Sequence, residues 1–231
     1  MKQPAVQDVS PFGFRHRTAR DAVVASQRGR MLEAMVKTVA QKGYGETTLA
    51  HVVAKAGVSR RTFYEQFRDK EECFLAAFDT GVRFLFARIQ EESEHLPPDD
   101  WRGRMRVLIE TYFSTLASEP EFARVLHVDV LAAGDRGRAR WADLLQRLVA
   151  YHRSLHASAR AEDPRIPAVG DDVLLVLLGG IPEVVREYVR SGRLQRLPDI
   201  APQLTALAIS VVSGAGQTHS SASRTRASRR S

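Results

Sequence analysis

Four consecutive residues, Ser59-Arg60-Arg61-Thr62, combine a helix-capping hydroxyl with two guanidinium groups and a second hydroxyl. A guanidinium donates two parallel hydrogen bonds to O6 and N7 of guanine, and threonine offers a hydroxyl or sets its methyl against thymine. Ser59 at a helix start leaves N–H groups and a positive dipole end that favour a phosphate. A short basic pair is also what a solvated surface looks like, so the elements around the quartet decide its meaning. Other candidate groups are weaker. His152 and His156 stand four apart, a spacing two ligands of one metal can use, but Arg153 replaces the glutamate of a zinc-protease helix and no third ligand is evident. Cys73 is the only cysteine, which excludes an internal disulfide and a thiolate zinc cluster. No metal, cofactor or catalytic residue is expected.

The quartet must be held by helices. Leu32, Met35, Val36, Val39 and Ala40 predict one from about Arg28 to Lys42, stopped by Gly43. A second, short helix follows Thr47, with Leu49, Val52, Val53 and Ala56 on one face. Gly57-Val58-Ser59 is a tight turn, and a third helix runs to about Phe67 with Phe63 and Phe67 one turn apart. Two short helices joined by a glycine-containing turn form a helix-turn-helix, whose second helix enters the major groove by its N-terminal residues. Asp69 and Glu72 read as a capping box opening a fourth helix to about Glu94.

Beyond the break at residues 96–100, helical spacing continues near 100–117, 119–133, 136–160, 171–191 and 199–213. Ser118-Glu119-Pro120-Glu121 has the form of a capped start, and Gly179-Gly180-Ile181-Pro182 is expected to kink its helix. No segment alternates with period 2 over a strand's length. The expected fold is all-α: an N-terminal three-helix DNA-binding bundle with the helix-turn-helix, plus a larger C-terminal helical domain. The boundaries expected are 1–25, a disordered basic arm; 26–72, the DNA-binding domain; 73–213, the larger helical domain; and 214–231, a disordered Arg/Ser-rich tail.

Charge supports a polyanion partner at one end. The 231 residues carry a net +7, distributed as +2 over residues 1–25, +3 over 26–72, −2 over 73–213 and +4 over 214–231. For the two tails alone, simple solubilisation accounts for the charge. The longest apolar run, Val173 to Leu178, is far short of the ~20 residues that span a bilayer. With no apolar signal region at the N-terminus, a cytoplasmic location without membrane contact is expected. A glycine-rich phosphate loop, a nucleophile elbow and a Glu-x-x-His repeat are all missing from the pattern, so the enzyme reading has no support.

The segment from Arg30 to Ala77 resembles the tetracycline-repressor (TetR) family of bacterial regulators. The matching pieces are Lys42-Gly43-Tyr44, Thr47-Thr48, Ala54-Lys55-Ala56-Gly57-Val58-Ser59, Thr62-Phe63-Tyr64-Glu65-Gln66-Phe67 and Asp69-Lys70-Glu71. The resemblance implies that Thr47, Thr48, Tyr64 and Lys70 touch the DNA backbone, while Phe63 and Phe67 are core. With the quartet, the DNA-binding set expected is Thr47, Thr48, Ser59, Arg60, Arg61, Thr62, Tyr64 and Lys70. Glu65 stands where many members carry histidine. Phosphate repels a carboxylate, so Glu65 is expected to accept from a cytosine N4 or to pair with an arginine.

The resemblance further implies that 73–213 is a ligand-binding (effector) and dimerisation domain, and the chain a ligand-responsive transcriptional repressor. It would bind a palindromic double-stranded operator as a homodimer and be released by a small-molecule effector. The dimer surface is expected on the last two helices, where Val173, Leu174, Val176, Leu177, Leu178, Leu204, Leu207, Ala208 and Val211 are too apolar for water. Candidate effector-binding residues are Glu110, Phe113, Phe122, His127, Trp141 and Tyr151, with Tyr112 on the same helices; ordinary core packing is the competing role for each. The alternative reading of the whole chain is a helical protein-interaction module with basic ends and no sequence-specific DNA binding.

Overall fold

The computed structural model describes residues 27–97 and 99–214, and among these no residue is in a β-strand. Ten α-helices follow in order: α1 Gln27–Lys42, α2 Leu49–Ala56, α3 Arg60–Tyr64, α4 Lys70–Ser93, α5 Trp101–Ser118, α6 Pro120–Arg124, α7 Val130–Ala132, α8 Gly134–Glu162, α9 Asp171–Arg190 and α10 Ala201–Val212. A π-helical turn, Val125–Asp129, joins α6 to α7, and a 3-10 helix, Leu194–Ile200, precedes α10. The fold is all-α, with an N-terminal DNA-binding bundle and a larger C-terminal helical domain. The arm and tail expected at 1–25 and 214–231 lie outside the described residues apart from Gly214, which is buried against Pro167.

Helix ends follow local chemistry. Thr48 caps α2 in a reciprocal box: its Oγ1 accepts from the His51 N–H at 3.3 Å, and His51 Nδ1 accepts from the Thr48 N–H at 3.2 Å. Gly57 ends the helix at φ 65°, ψ 38°, a left-handed conformation that costs glycine nothing. Asp69 caps α4 as expected, accepting from the Glu72 N–H at 2.7 Å. The return half of that box differs, because Glu72 reaches one residue further, to the Arg68 N–H at 2.8 Å and its guanidinium at 3.0 Å. Glu119 makes no side-chain cap for α6, which opens on Pro120. The helix expected over 119–133 is instead interrupted by the π turn, and α9 continues through Pro182 without a break.

A single apolar core runs from the N-terminal bundle into the larger domain. Met31, Met35, Val52, Phe63, Phe67, Phe74 and Phe78 join it from one end, and Trp101, Met105, Phe113, Leu116 and Leu126 from the other. A boundary drawn at 72/73 therefore cuts α4 after its first turn, where Cys73, Phe74 and Ala77 pack on α1. The physical unit that presents α3 includes about the first two turns of α4. Burial pushes the Cys73 thiol up to about 12, so it stays protonated and packs as a small apolar side chain. Gly81 lets α4 come close to α6, since a Cβ there would collide with the buried Phe122 ring.

Candidate nucleic-acid interface and effector cavity

The turn Gly57–Ser59 sets α3 across α2, with Val58 packed against the core and Ser59 capping α3 by accepting from the Thr62 N–H at 3.0 Å. Ser59 and Thr62 hydroxyls lie 3.0 Å apart. Phe63 points inward, against Phe67, with ring centroids 5.5 Å apart. The opposite side of this five-residue helix is left to solvent: Arg60, Arg61 and Tyr64 are exposed, the last at 59% despite its ring. Arg61 pairs with Glu65 at 3.2 Å, which gives Glu65 the arginine partner that was one of its two expected roles. An exposed i,i+4 pair is worth only ~0.3–0.5 kcal/mol. A bidentate guanine contact is worth ~1–3 kcal/mol, more than this pair.

Two residues of the expected set, Thr47 and Lys70, turn their polar groups inward onto main-chain carbonyls. Thr47 is buried and its hydroxyl donates to the Gly43 carbonyl at 2.8 Å, so its side chain fixes the loop before α2; Thr48 is the exposed hydroxyl at this helix start. The Lys70 ammonium donates to the carbonyls of Tyr44 at 2.9 Å and Thr47 at 2.8 Å, and sits 4.2 Å from the centre of the Tyr44 ring. Desolvation lowers its pKa from the usual lysine value. Its first duty is to tie α4 to the α1–α2 loop, with one N–H left over. Lys70→Ala is expected to weaken binding to specific and random DNA alike and to lower the unfolding midpoint. If the third N–H holds a phosphate, the slope of log K against log salt falls by about one unit per half-site. A lowered midpoint with an unchanged slope assigns Lys70 to the fold alone.

The larger domain holds a narrow cavity of about 60 Å³ between α4, α5, α8 and α9 and the π turn. Its wall is apolar, from Leu85, Ile89, Leu108, Leu144 and Leu178 among others, with Tyr112, His127, Trp141 and His152 the residues that bring polar atoms. Tyr112 Oη and His127 Nε2 are 2.7 Å apart; His127 is buried and Tyr112 partly buried. Burial, aided by the nearby Arg186 guanidinium, lowers the His127 pKa to about 3, so the ring is neutral. Burial likewise keeps Tyr112 protonated. His127 Nδ1 is buried without a hydrogen-bond partner. The Trp141 ring meets the His127 ring edge-on at 5.4 Å.

Of the expected effector residues, His127 and Trp141 line this cavity and four do not. Glu110 is on the solvent side of α5, beside a shallow surface depression with Glu92 and Pro198. Phe113 is fully buried core, and Phe122 fills the space above Gly81. Tyr151 is half-buried on α8 outside the lining. Helical spacing identified their helices but not which side of α5 or α8 faces the void. His152 and His156 hold no metal arrangement, and no three-ligand group exists among the described residues. His152 Nδ1 bonds to the Leu148 carbonyl at 2.9 Å; His156 Nδ1 bonds to the Val212 carbonyl at 2.8 Å while its Nε2 accepts from the Val169 N–H at 3.2 Å.

One connection between cavity and DNA unit was not expected from the sequence. Asp129, 3% exposed, closes the π turn two residues after His127. Its Oδ1 accepts from the Tyr44 N–H at 3.1 Å, and its Oδ2 pairs with Arg124 Nε at 3.1 Å. Residues two apart point to opposite sides of a helical turn. The turn thus shows His127 to the cavity and Asp129 to the loop that also receives Lys70. Burial raises the Asp129 pKa, while Arg124 and the Tyr44 N–H act against that rise. A lone carboxylate inside Val125-Leu126-His127-Val128-Asp129-Val130-Leu131 was the available signal.

A helix-turn-helix with an exposed basic helix start, carried on a larger helical domain, is an arrangement that DNA-binding regulators use. Residues 31–77 match the model of bacterial regulatory proteins of the tetR family. It is 29% identical over 153 residues to the HTH-type transcriptional regulator EthR of Mycolicibacterium smegmatis, covering 65% of this chain and 66% of that one. To the fatty acid metabolism regulator protein of Bacillus subtilis it is 23% identical over 101 residues, covering 44% and 51%. The chain thus spans less than two thirds of these relatives' own lengths. Among solved structures, FadR from Bacillus subtilis in complex with stearoyl-CoA superposes with a TM-score of 0.70 at 18% identity, covering 78% of this chain and 97% of that one. FadR from Bacillus halodurans gives 0.71 at 17% identity, covering 79% and 94%. These structural likenesses establish the fold.

Proposed function

We propose that this regulator is a homodimeric repressor that binds an inverted-repeat operator and leaves it when an apolar effector enters the cavity lined by His127 and Trp141. The observation that carries the DNA half is the placement of Arg60 and Arg61, exposed at the start of α3, on a helix anchored by buried Phe63. Thr48, Ser59, Thr62 and Tyr64 complete the DNA-facing set, with Thr47 and Lys70 holding the loop behind them. Two copies are needed because half-sites one helical turn apart, ~34 Å, require paired readers. The second copy docks on α9 and α10: Val176 is 77% exposed, Val173, Leu175 and Leu207 accompany it, and open space over Gly179 and Gly180 permits close approach.

The cavity supports the effector half. At about 60 Å³ it is smaller than the ~150 Å³ that holds a benzene. An effector must therefore part α4, α5, α8 and α9, and occupancy is tied to displacement of the walls. Its apolar lining suits a hydrocarbon chain, in keeping with the fatty-acid metabolism regulator among the relatives and the acyl-CoA complex of the FadR neighbour. Displacement reaches the readers by two routes: along α4, from Leu85 and Ile89 in the wall to Lys70 at the loop, and through the π turn, from His127 to Asp129. An effector that binds the DNA-free state better shifts the equilibrium, and each tenfold change in DNA affinity needs ~1.4 kcal/mol of differential binding. The coupling is reciprocal. Titrating an acyl effector with and without operator is expected to show weaker effector binding in the presence of DNA by the same factor. Equal affinities in the two titrations would refute ligand-controlled release.

A further inference from the structure

His127, in the wall of the apolar cavity, carries a buried polar atom without a hydrogen-bond partner, Nδ1, and its protonation state follows from the hydrogen bond that Nε2 makes with Tyr112. Tyr112 and His127 share one proton across 2.7 Å, and neither has another side-chain partner in the structure. If Nε2–H donated to the tyrosine oxygen, the phenolic hydrogen and the Nδ1 lone pair would go unmet; if the phenol donates to Nε2, the Nδ1–H goes unmet and the phenolic oxygen accepts nothing. The counts tie, and donor strength decides: a phenol is a better acid than a neutral imidazole N–H, and an imidazole nitrogen a better acceptor than a phenolic oxygen, so the second arrangement is preferred and Nδ1 is a donor without an acceptor. The ring cannot escape by protonating, since burial keeps it neutral. No lysine or arginine is in the wall, and the Arg186 guanidinium behind His127 is already paired with Glu183, so a carboxylate entering there would lose its hydration without an unpaired cation in the lining to replace it.

We infer that Tyr112 and His127 form a polar subsite that selects uncharged effectors having an apolar body and one hydrogen-bond-accepting oxygen, such as a ketone, ester or thioester carbonyl, and rejects the corresponding carboxylate. This rests on the effector reading of the cavity given above and adds the chemical class. The hydroxyl of Tyr112 fixes the ring's tautomer, and His127 Nδ1–H donates to the ligand oxygen. The apolar remainder of the ligand lies along Leu108, Leu144 and Leu178.

The test measures the binding of 2-octanone, nonane and octanoate at pH 7 to the full-length protein, by calorimetry and by emission of the wall residue Trp141. Because nonane gains more from leaving water, the informative quantity is the ratio of ketone to alkane affinity, compared between proteins. In His127→Leu that ratio is expected to fall about tenfold, as expected for loss of one buried hydrogen bond. His127→Gln, which keeps an N–H donor, restores much of it. Tyr112→Phe lowers it about threefold by freeing the tautomer, and it carries the test together with His127→Gln should the leucine variant not fold. Octanoate is expected to bind the unaltered protein at least tenfold more weakly than the ketone. A ratio indifferent to His127 and Tyr112, or octanoate binding as tightly as the ketone, overturns the subsite while leaving the cavity an effector site. Failure of all three probes to bind overturns both.

Discussion

Asp129→Ala is expected to destabilise the protein by about 2–3 kcal/mol and to loosen the operator complex at least tenfold. The carboxylate is buried, and its removal strands two groups at once: the Tyr44 N–H loses its acceptor and Arg124 loses its counter-charge. Arg124 is partly exposed, so water recovers some of that loss, which keeps the figure below the 3–5 kcal/mol of a fully buried pair. The loop released is the one that carries Lys70's two carbonyl acceptors and opens α2. Asp129→Asn keeps an acceptor for Tyr44 and is expected to cost about 1 kcal/mol. It should retain operator binding but blunt the effector response. Urea unfolding midpoints and operator titrations check both variants. An alanine variant as stable as the parent would remove the π turn from the communication route.

Arg60→Ala and Arg61→Ala are the substitutions expected to change sequence preference. At least one should cost ~1–3 kcal/mol of operator affinity and relax discrimination at a single operator position. Loss of Arg61 also frees Glu65, which then faces the DNA as an unpaired carboxylate, so Arg61→Ala combined with Glu65→Gln should recover part of the loss. Affinity measured against single-base operator variants at fixed salt separates the outcomes. If both arginine variants weaken every sequence equally, the two residues touch only phosphate.

The DNA unit was legible in the sequence because its determinants are local. Capping residues, the Gly57 turn and the one-turn spacing of Phe63 and Phe67 act within a few residues of each other, and the structure reproduces them. Thr47 and Lys70 show where that legibility stops. Both belong to the right place, but their hydrogen bonds run inward to Gly43, Tyr44 and Thr47, partners that only the folded loop assembles. The cavity was less legible still. Helical spacing marks an apolar stripe but does not distinguish a residue facing a void from one facing a neighbouring helix. Phe113 and Phe122 therefore read like His127 and Trp141, although they fill the core. Glu110 lies outside the cavity wall for the opposite reason: a carboxylate on a helix with an apolar stripe belongs on the solvent side unless a partner waits inside, and Glu110 is exposed. The π turn has no sequence signature of its own. The carboxylate of Asp129 within an apolar run was its only trace.

The central claim is that two copies of α3 read DNA sequence. Selection of bound fragments from a random duplex pool, followed by anisotropy titration at physiological salt against selected and shuffled duplexes, tests it directly. The account predicts enrichment of an inverted repeat whose half-site centres lie about one helical turn apart, bound at least ~10³-fold more tightly than the shuffled duplex. Binding that is equally tight for both duplexes and collapses alike with salt would contradict it, and would leave a basic helical module that holds nucleic acid by charge alone.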